Sequence, residues 1–282
     1  MSKTLTTSAL AICLGGFALN VSAQTIISDN FEYANQAAYE AVWTPIGTVA
    51  PLSAELSLAQ ASSGTHSIRL PGAAASNSYR NRRTFADTTV TTSTKITWSF
   101  DFYDSAPNAN PARNYCNLQD TTAPSGTGQL IGMGFNNNQI GTASGGQYYM
   151  ARILGYAPTT VDPDGGANEG TTTAGAYFKL NDFGVGLRTL GWHNLKVVIS
   201  TDGGNASDFE FYVDNQLAER VSNVGTVLRG YDNIALGSGL SNASTEAFID
   251  NMVLEVSPIP EPSSATFGLL GLGLFLWRKL RK

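Results

Sequence analysis

Lys95-Ile96-Thr97-Trp98-Ser99-Phe100-Asp101-Phe102-Tyr103 sets Ile96, Trp98, Phe100 and Phe102 at every second position, with Thr97, Ser99, Asp101 and Tyr103 between them. A period of two marks a strand with one face in a core and the other in water. The same alternation runs through Thr65–Leu70, with His66, Ile68 and Leu70 against Ser67 and Arg69, and through His193–Ile199, with Leu195, Val197 and Ile199 aligned. In Asp208–Asp214, Phe209, Phe211 and Val213 share a face before the turn Asp214-Asn215, and Tyr231–Leu236 and Ala247–Val256 close the series. Gly, Asn and Asp turns separate these segments and helical periodicity is nearly absent, so the expected fold is an all-β antiparallel sandwich. Phe31–Trp43, with Tyr33, Ala37, Ala38 and Tyr39, reads as a short helix or a loop. Residues 104–128 and 157–175, dense in Pro, Gly, Asn and Thr, read as long loops.

Both ends of the chain read as addresses. Residues 1–23 carry one cation, Lys3, an apolar stretch from Ala9 to Leu19 and the small-residue site Val21-Ser22-Ala23, the pattern of a secretory signal peptide. Residues 257–282 hold Pro260, Glu261 and Pro262, then the apolar run Ala265–Trp277, then Arg278-Lys279-Leu280-Arg281-Lys282. The prolines oppose continuation of a regular element. An apolar helix of thirteen residues spans about 20 Å, against a hydrocarbon core of about 30 Å. That is a marginal transmembrane anchor, weakened by Gly268, Gly271 and Gly273, and the basic cluster would hold its end on the cytoplasmic side. The order of these features resembles the PEP-CTERM sorting signal of Gram-negative surface proteins. The resemblance implies export through the inner membrane, processing by an exosortase-type protease near Pro260–Pro262, and a final location at the cell surface or outside the cell, alongside exopolysaccharide or biofilm matrix.

The remainder, 24–256, is long enough for one large β domain. The whole chain has a formal charge of −5, but Gln24–Ser257 holds 12 Lys and Arg against 21 Asp and Glu, a net of −9. Such a surface argues against nucleic acid as a partner. Cys116 is the one cysteine outside the leader, so neither an intramolecular disulfide nor a thiolate zinc cluster is expected, and burial is its ordinary fate.

Several segments resemble concanavalin A-like (LamG-type) jelly rolls: Asp29-Asn30-Phe31-Glu32, Gly64-Thr65-His66-Ser67-Ile68-Arg69-Leu70, Thr97–Tyr103, Gly191-Trp192-His193-Asn194-Leu195, Phe211-Tyr212-Val213-Asp214-Asn215 and Phe248-Ile249-Asp250-Asn251. The resemblance implies a jelly-roll sandwich, a fold that hosts lectins, glucanases and adhesive modules alike.

Glycoside hydrolysis needs two carboxyls flanking one bond, and the Glu-x-Asp-x-Glu strand pattern of jelly-roll glucanases is missing. Asp208, Glu210 and Asp214 come nearest, and they read as a solvated strand face. His66 and His193 lie on apolar faces outside any nucleophile motif, so no catalytic residue is assigned. Calcium fits better: Asp29 and Glu32 near the first strand would meet Asp250 on the last if the terminal strands pair, forming a structural site of oxygen ligands. Asp162–Glu169 is a second acidic loop, departing from the EF-hand pattern. For carbohydrate, Asn137 with Tyr148, Tyr149 and Arg152 offers amide, aromatic and cationic groups, matching a sugar's apolar face and hydroxyl rim. Arg80-Asn81-Arg82-Arg83 is the only basic cluster of the domain, a candidate for acidic polysaccharide or a solvated turn. The expected protein is an exported, non-catalytic sandwich with possible carbohydrate contact; the alternatives are a polysaccharide hydrolase or lyase and a purely structural matrix protein.

Overall fold

The computed structural model describes residues 22–46, 52–72, 79–109, 112–121, 130–136, 147–154, 160–161, 170–172, 175–203, 207–223, 230–237 and 245–259. The signal-peptide stretch 1–21, Asn137, the acidic loop 162–169, and the sorting motif Pro260, Glu261 and Pro262 with its apolar run lie outside the described residues. Among the described residues, no helix is long and apolar enough to cross a membrane.

Two antiparallel sheets form a jelly-roll sandwich. The first contains β1 (Gln24–Asp29), β3 (Glu55–Ser57), β4 (Ser67–Leu70), β6 (Thr94–Asp104), β10 (Thr160–Val161), β13 (Gly191–Ser200), β14 (Ser207–Val213), β15 (Gln216–Asn223) and β17 (Ala247–Pro258). Its order is β10-β15-β14-β13-β6-β17-β4-β3, with β1 also on β17. The second runs β11-β12-β9-β8-β7-β16-β5-β2. Its strands are β2 (Thr44–Pro45), β5 (Asn81–Thr89), β7 (Arg113–Gln119), β8 (Leu130–Asn136), β9 (Met150–Leu154), β11 (Gly170–Thr172), β12 (Gly175–Lys179) and β16 (Gly230–Leu236).

β6 lies between β13 and β17, and its Ile96, Trp98, Phe100 and Phe102 are all fully buried. Each such side chain contributes about 1.5–3 kcal/mol on burial. Phe102 packs edge-on against Phe135 of the second sheet, ring centroids 5.5 Å apart, so the ridge joins the two layers. Phe31–Trp43 resolves into a tight turn, with Phe31 at φ +55° and its carbonyl accepting from Tyr33 N at 2.8 Å, and one short helix, α1 (Gln36–Val42). Asn35 Oδ1 caps it by accepting from Ala38 N at 3.0 Å. β17 changes neighbours partway: Ala247–Ile249 pair with β4, and Met252–Val256 pair with β1. Between them Asp250-Asn251 forms a bulge, with Asn251 at φ +48°, a left-handed conformation that asparagine tolerates better than most residues.

Three expectations change. The stretch 104–128 is not one long loop, because β7 lies inside it at the centre of the second sheet, and 157–175 includes the short strands β10 and β11. Arg80–Arg83 is not a turn: Asn81–Arg83 opens β5, with Arg80 just before it, and the run splits by strand alternation. Arg83 turns inward and donates to Asp29 Oδ2 at 2.9 Å, whereas Arg82 stays on the outer face.

Arg188 Nε donates to Asp104 Oδ2 at 2.7 Å with both side chains fully enclosed, and the guanidinium lies 4.0 Å from the Phe135 ring centroid. Removing one partner of a buried pair leaves an uncompensated charge, so Asp104→Asn is expected to cost about 3–5 kcal/mol in urea unfolding. Cys116 is buried and its thiol is pushed up to about 12 by desolvation. Maleimide labelling followed by peptide mapping should therefore leave Cys116 unmodified in the native protein and label it in denaturant.

Candidate functional site

The outer face of the second sheet carries the unusual chemistry. Cys116 and Leu118 of β7 and Ile131, Met133 and Phe135 of β8 point into the shared core. The alternate positions therefore face outward: Arg113, Tyr115, Asn117 and Gln119 on β7, and Leu130, Gly132, Gly134 and Asn136 on β8. The register sets Arg82, Ala235, Asn117, Gly132, Arg152 and Tyr177 in one row across six strands. Small residues occupy the middle of that row and large polar ones its ends. Tyr115, Met150 and Tyr177 form a second buried cluster, separate from the main core.

The glycines of β8 follow from close approach. A Cβ on Gly134, at φ +153°, would meet Asn114 O at 2.3 Å and Tyr115 Cβ at 2.5 Å. A Cβ on Gly132 would meet Asn117 Oδ1 at 3.0 Å, the Tyr115 ring at 3.2 Å and Arg152 Cβ at 3.3 Å. These glycines let the side chains of β7 and β9 lie low across the sheet.

Arginines gather around the two tyrosines. Arg152 Nη1 donates to Tyr115 Oη at 3.0 Å, and its guanidinium stands 5.9 Å from the Tyr115 ring centroid and 5.6 Å from that of Tyr177. Arg113 Nε donates to Asn136 Oδ1 at 3.4 Å. Burial holds Arg80 below the usual arginine value; Tyr115 opposes that shift, while Arg82 and Arg152 reinforce it. Burial likewise raises both phenols, with Arg152 opposing in each case. Tyr115 and Tyr177 are therefore neutral hydrogen-bonding groups rather than phenolates. Arg80 Nε, Asn117 Oδ1, Asn136 Nδ2, Tyr177 Oη and Asn233 Oδ1 are buried without a hydrogen-bond partner, five of the six such atoms among the described residues. Five of these atoms fall on one face, and each would cost about 1–3 kcal/mol if no water or ligand supplied its partner. Among the described outward positions of β7, β8, β9 and β12 there is no Asp, Glu or His. This face therefore lacks the two carboxyls of a hydrolase and offers planar donors suited to a carboxylate.

Of the residues expected to bind carbohydrate, Arg152 belongs to this face. Tyr149 does not: it precedes β9 with inward parity, and packs on Phe102 and beside His193. Tyr148 is half-buried just before β9, and Asn137 lies outside the described residues, next to outward-facing Asn136. Tyr115, Tyr177, Asn117, Asn233 and Arg113 escaped the sequence reading; the paired glycines at alternate positions of β8 were the signal available.

Asp29, Glu32 and Asp250 each have donors of their own. Asp29 accepts from Phe31 N, Tyr33 Oη, Trp43 Nε1 and Arg83 Nη1. Asp250 Oδ2 accepts from Ser62 N and Ser63 N, and Glu32 Oε1 accepts from Thr65 N and His66 N. Among the described residues no three His, Cys, Asp or Glu side chains stand where they could share a metal. Glu210 pairs with Arg220 and Tyr212, Asp208 with Ser222, and Asp214 with His193.

Residues 258–282 match the PEP-CTERM protein-sorting motif. That match marks the chain for export and sorting towards the cell surface. No curated protein matches the chain. Among solved structures, a double mutant of alginate lyase Aly36B in complex with alginate trisaccharide aligns over 85% of this chain and 99% of its own, at 14% identity and a TM-score of 0.50. Alginate lyase Aly36B without those substitutions aligns over 83% and 96%, at 11% identity and a TM-score of 0.50. The endo-β-1,4-glucuronan lyase of Trichoderma reesei aligns over 82% and 95%, at 12% identity and a TM-score of 0.46. At these identities the likeness is one of fold.

Glu32 is the carboxylate most shifted by its neighbours, lowered from 4.5 to about 2, first by the His66 side chain and then by the His66 and Thr65 backbone amides. A depressed folded value stabilises above the ordinary value and is lost as pH falls through the depressed one. The stability difference between the parent and Glu32→Gln should therefore be full above pH 4.5 and vanish as pH approaches 2, as read by thermal unfolding across that range.

Proposed function

We propose that this exported domain binds an acidic polysaccharide across the outer face of its second sheet, and does not cleave it. The observation that carries this reading is Arg152 set between Tyr115 and Tyr177, with Arg80 and Arg113 close to Tyr115, where the described outward positions of β7, β8, β9 and β12 hold no carboxylate, in a domain of net charge −9. An acidic protein that collects cations on one surface has a focused attraction for polyanions there. The tyrosine rings offer apolar faces to sugars, and the asparagines and arginines offer the polar rim. Alginate, carried by one fold neighbour in its complex, belongs to this chemical class. The PEP-CTERM match supports processing by an exosortase-type membrane protease near Pro260-Glu261-Pro262, after passage through the inner membrane, and work in the extracellular polymer layer.

One contact favours a second reading, a lyase. β-Elimination needs a cation on the uronate carboxylate and a group to move a proton, and Arg152 Nη1 at 3.0 Å from Tyr115 Oη supplies both kinds of group. The upward shift of the Tyr115 phenol weighs against its use as a base and favours binding without cleavage.

Alginate, polygalacturonate and hyaluronate, with dextran as a neutral control, test the proposal. At least one polyuronate is expected to bind, with affinity falling as salt rises, and dextran not to bind. Arg152→Ala should weaken binding by about 10- to 100-fold, the size of a charge-assisted hydrogen bond. Equal affinity for dextran, or indifference to salt and to Arg152→Ala, would remove the proposal. Accumulation of unsaturated chain ends would replace it with the lyase reading.

A further inference from the structure

The outer face of the first sheet carries an aromatic row of its own. The register sets Trp192 of β13, Tyr103 of β6, Phe248 of β17 and Arg69 of β4 side by side. Their sequence neighbours Phe102, Ile249, Ile68 and Leu70 lie in the core, so these four side chains point the other way. Tyr103 meets Trp192 edge to face with ring centroids 5.4 Å apart, and Phe248 at 5.8 Å. Phe248 is 4% exposed and backs the row, whereas Trp192 and Tyr103 are half-buried. β14 joins β13 only from Leu195 onward, so among the described strands none flanks Trp192 on that side. Trp192 Nε1 and the Tyr103 hydroxyl have no hydrogen-bond partner among the described residues, and neither is one of the enclosed orphan atoms. Both are open to solvent.

A polar row lies beside it, two residues along β6 and β13. Asp101 Oδ1 accepts from Asn194 Nδ2 at 2.9 Å, and its Oδ2 accepts from Asn251 Nδ2 at 2.8 Å and Ser62 Oγ at 2.7 Å. These bonds hold the amides in place before any ligand arrives, so ordering them adds little cost to binding. Charge is matched locally, because Arg69 pairs with Glu55 and Glu246 while Asp101 takes three donors.

Water can serve the amides but leaves the ring carbons uncovered. A sugar covers both, with C–H bonds on its flat face and hydroxyls on its rim. The matched charge suits an uncharged chain. The row follows the register across three strands and is straight, so it suits a straight polymer: all-equatorial β-1,4-linked glycans extend as flat ribbons, whereas α-1,6-linked dextran coils. Position favours the same occupant. β17 runs from Phe248 to Pro258, the first residue of the sorting match, a distance of about 30 Å along the strand. A molecule held by its sorting segment therefore turns this row away from the membrane.

We infer that Trp192 and Tyr103, with the Asn194–Asp101–Asn251 row, bind an uncharged β-1,4-linked polysaccharide. This site stands whether or not the second sheet binds polyuronate, and a domain with both would cross-link two kinds of chain.

The full-length chain is titrated with cellohexaose and mannohexaose, both β-1,4-linked, with dextran as control. At least one oligomer should bind, dextran should not, and the affinity should be indifferent to salt, unlike that for a polyanion. Trp192→Ala and Tyr103→Ala should each weaken binding about tenfold through lost ring contact, while Arg152→Ala leaves it unchanged. In the unaltered protein the Trp192 indole N–H resonance should shift with the oligomer, and those of the enclosed Trp43 and Trp98 should stay in place; this readout does not depend on the variants folding. Absence of binding to either oligomer, or binding with an unmoved Trp192 resonance, overturns the inference and leaves polyuronate binding standing. Loss of alginate binding in folded Trp192→Ala, with Arg152→Ala unaffected, would assign this row to the acidic polymer and overturn both site assignments. A dimer that Trp192→Ala dissociates would make a second copy the occupant and again overturn the inference.

Discussion

A strand has two faces, and in a two-layer fold only one of them can reach the shared interior. Everything here follows from the side that β6 commits to that interior. Ile96, Trp98, Phe100 and Phe102 form a continuous buried ridge, and Phe102 meets Phe135 across the layers. Once that ridge holds the sheets together, the parity of every neighbouring strand is settled by register, because a slip of one residue would carry its apolar set into water. Asn117, Arg152 and Tyr177 reach the outer surface of the second sheet for this reason: their sequence neighbours Cys116, Leu118, Ala151, Ile153 and Phe178 are all needed inside.

Most long strands of the first sheet were legible in the chain, and of the second only β16 was. β6, β13, β14 and β17 alternate large apolar residues with polar ones, the contrast that a soluble outer face demands. β7 lacks this contrast, because Arg113, Tyr115 and Asn117 alternate with Asn114 and Cys116, and an aromatic sits on the outer side. β8 places glycines at two outward positions, where glycine ordinarily announces a turn. The missed strands β7, β8, β9 and β12 are the ones that build the candidate site. Tyr149 shows the limit of parity arguments made without a boundary: with β9 starting at Met150, the tyrosine falls on the inward side.

Charge is divided between the two sheets in different ways. On the first, cations and carboxylates are matched locally: Arg69 with Glu55 and Glu246, Arg220 with Glu210. Such exposed pairs contribute little to stability and leave the surface electrically quiet. On the second, arginines lie beside phenols and amides, and Arg80 loses proton affinity chiefly through burial, with Arg82 and Arg152 adding to the loss. A stable fold has little reason to keep that arrangement, and a binding surface has an evident one.

The pairing of β17 bears on how the molecule is made. This strand lies inside the first sheet, bonded to β6 along one edge and to β4 and β1 along the other, and it is the last regular element of the described chain. A polypeptide threaded through a membrane from its amino end exposes β6 long before β17 emerges. Until then the ridge strand has one open edge, and β1 and β4 have no sheet to join. Closure of the first sheet therefore waits on the strand that leads directly into the sorting motif.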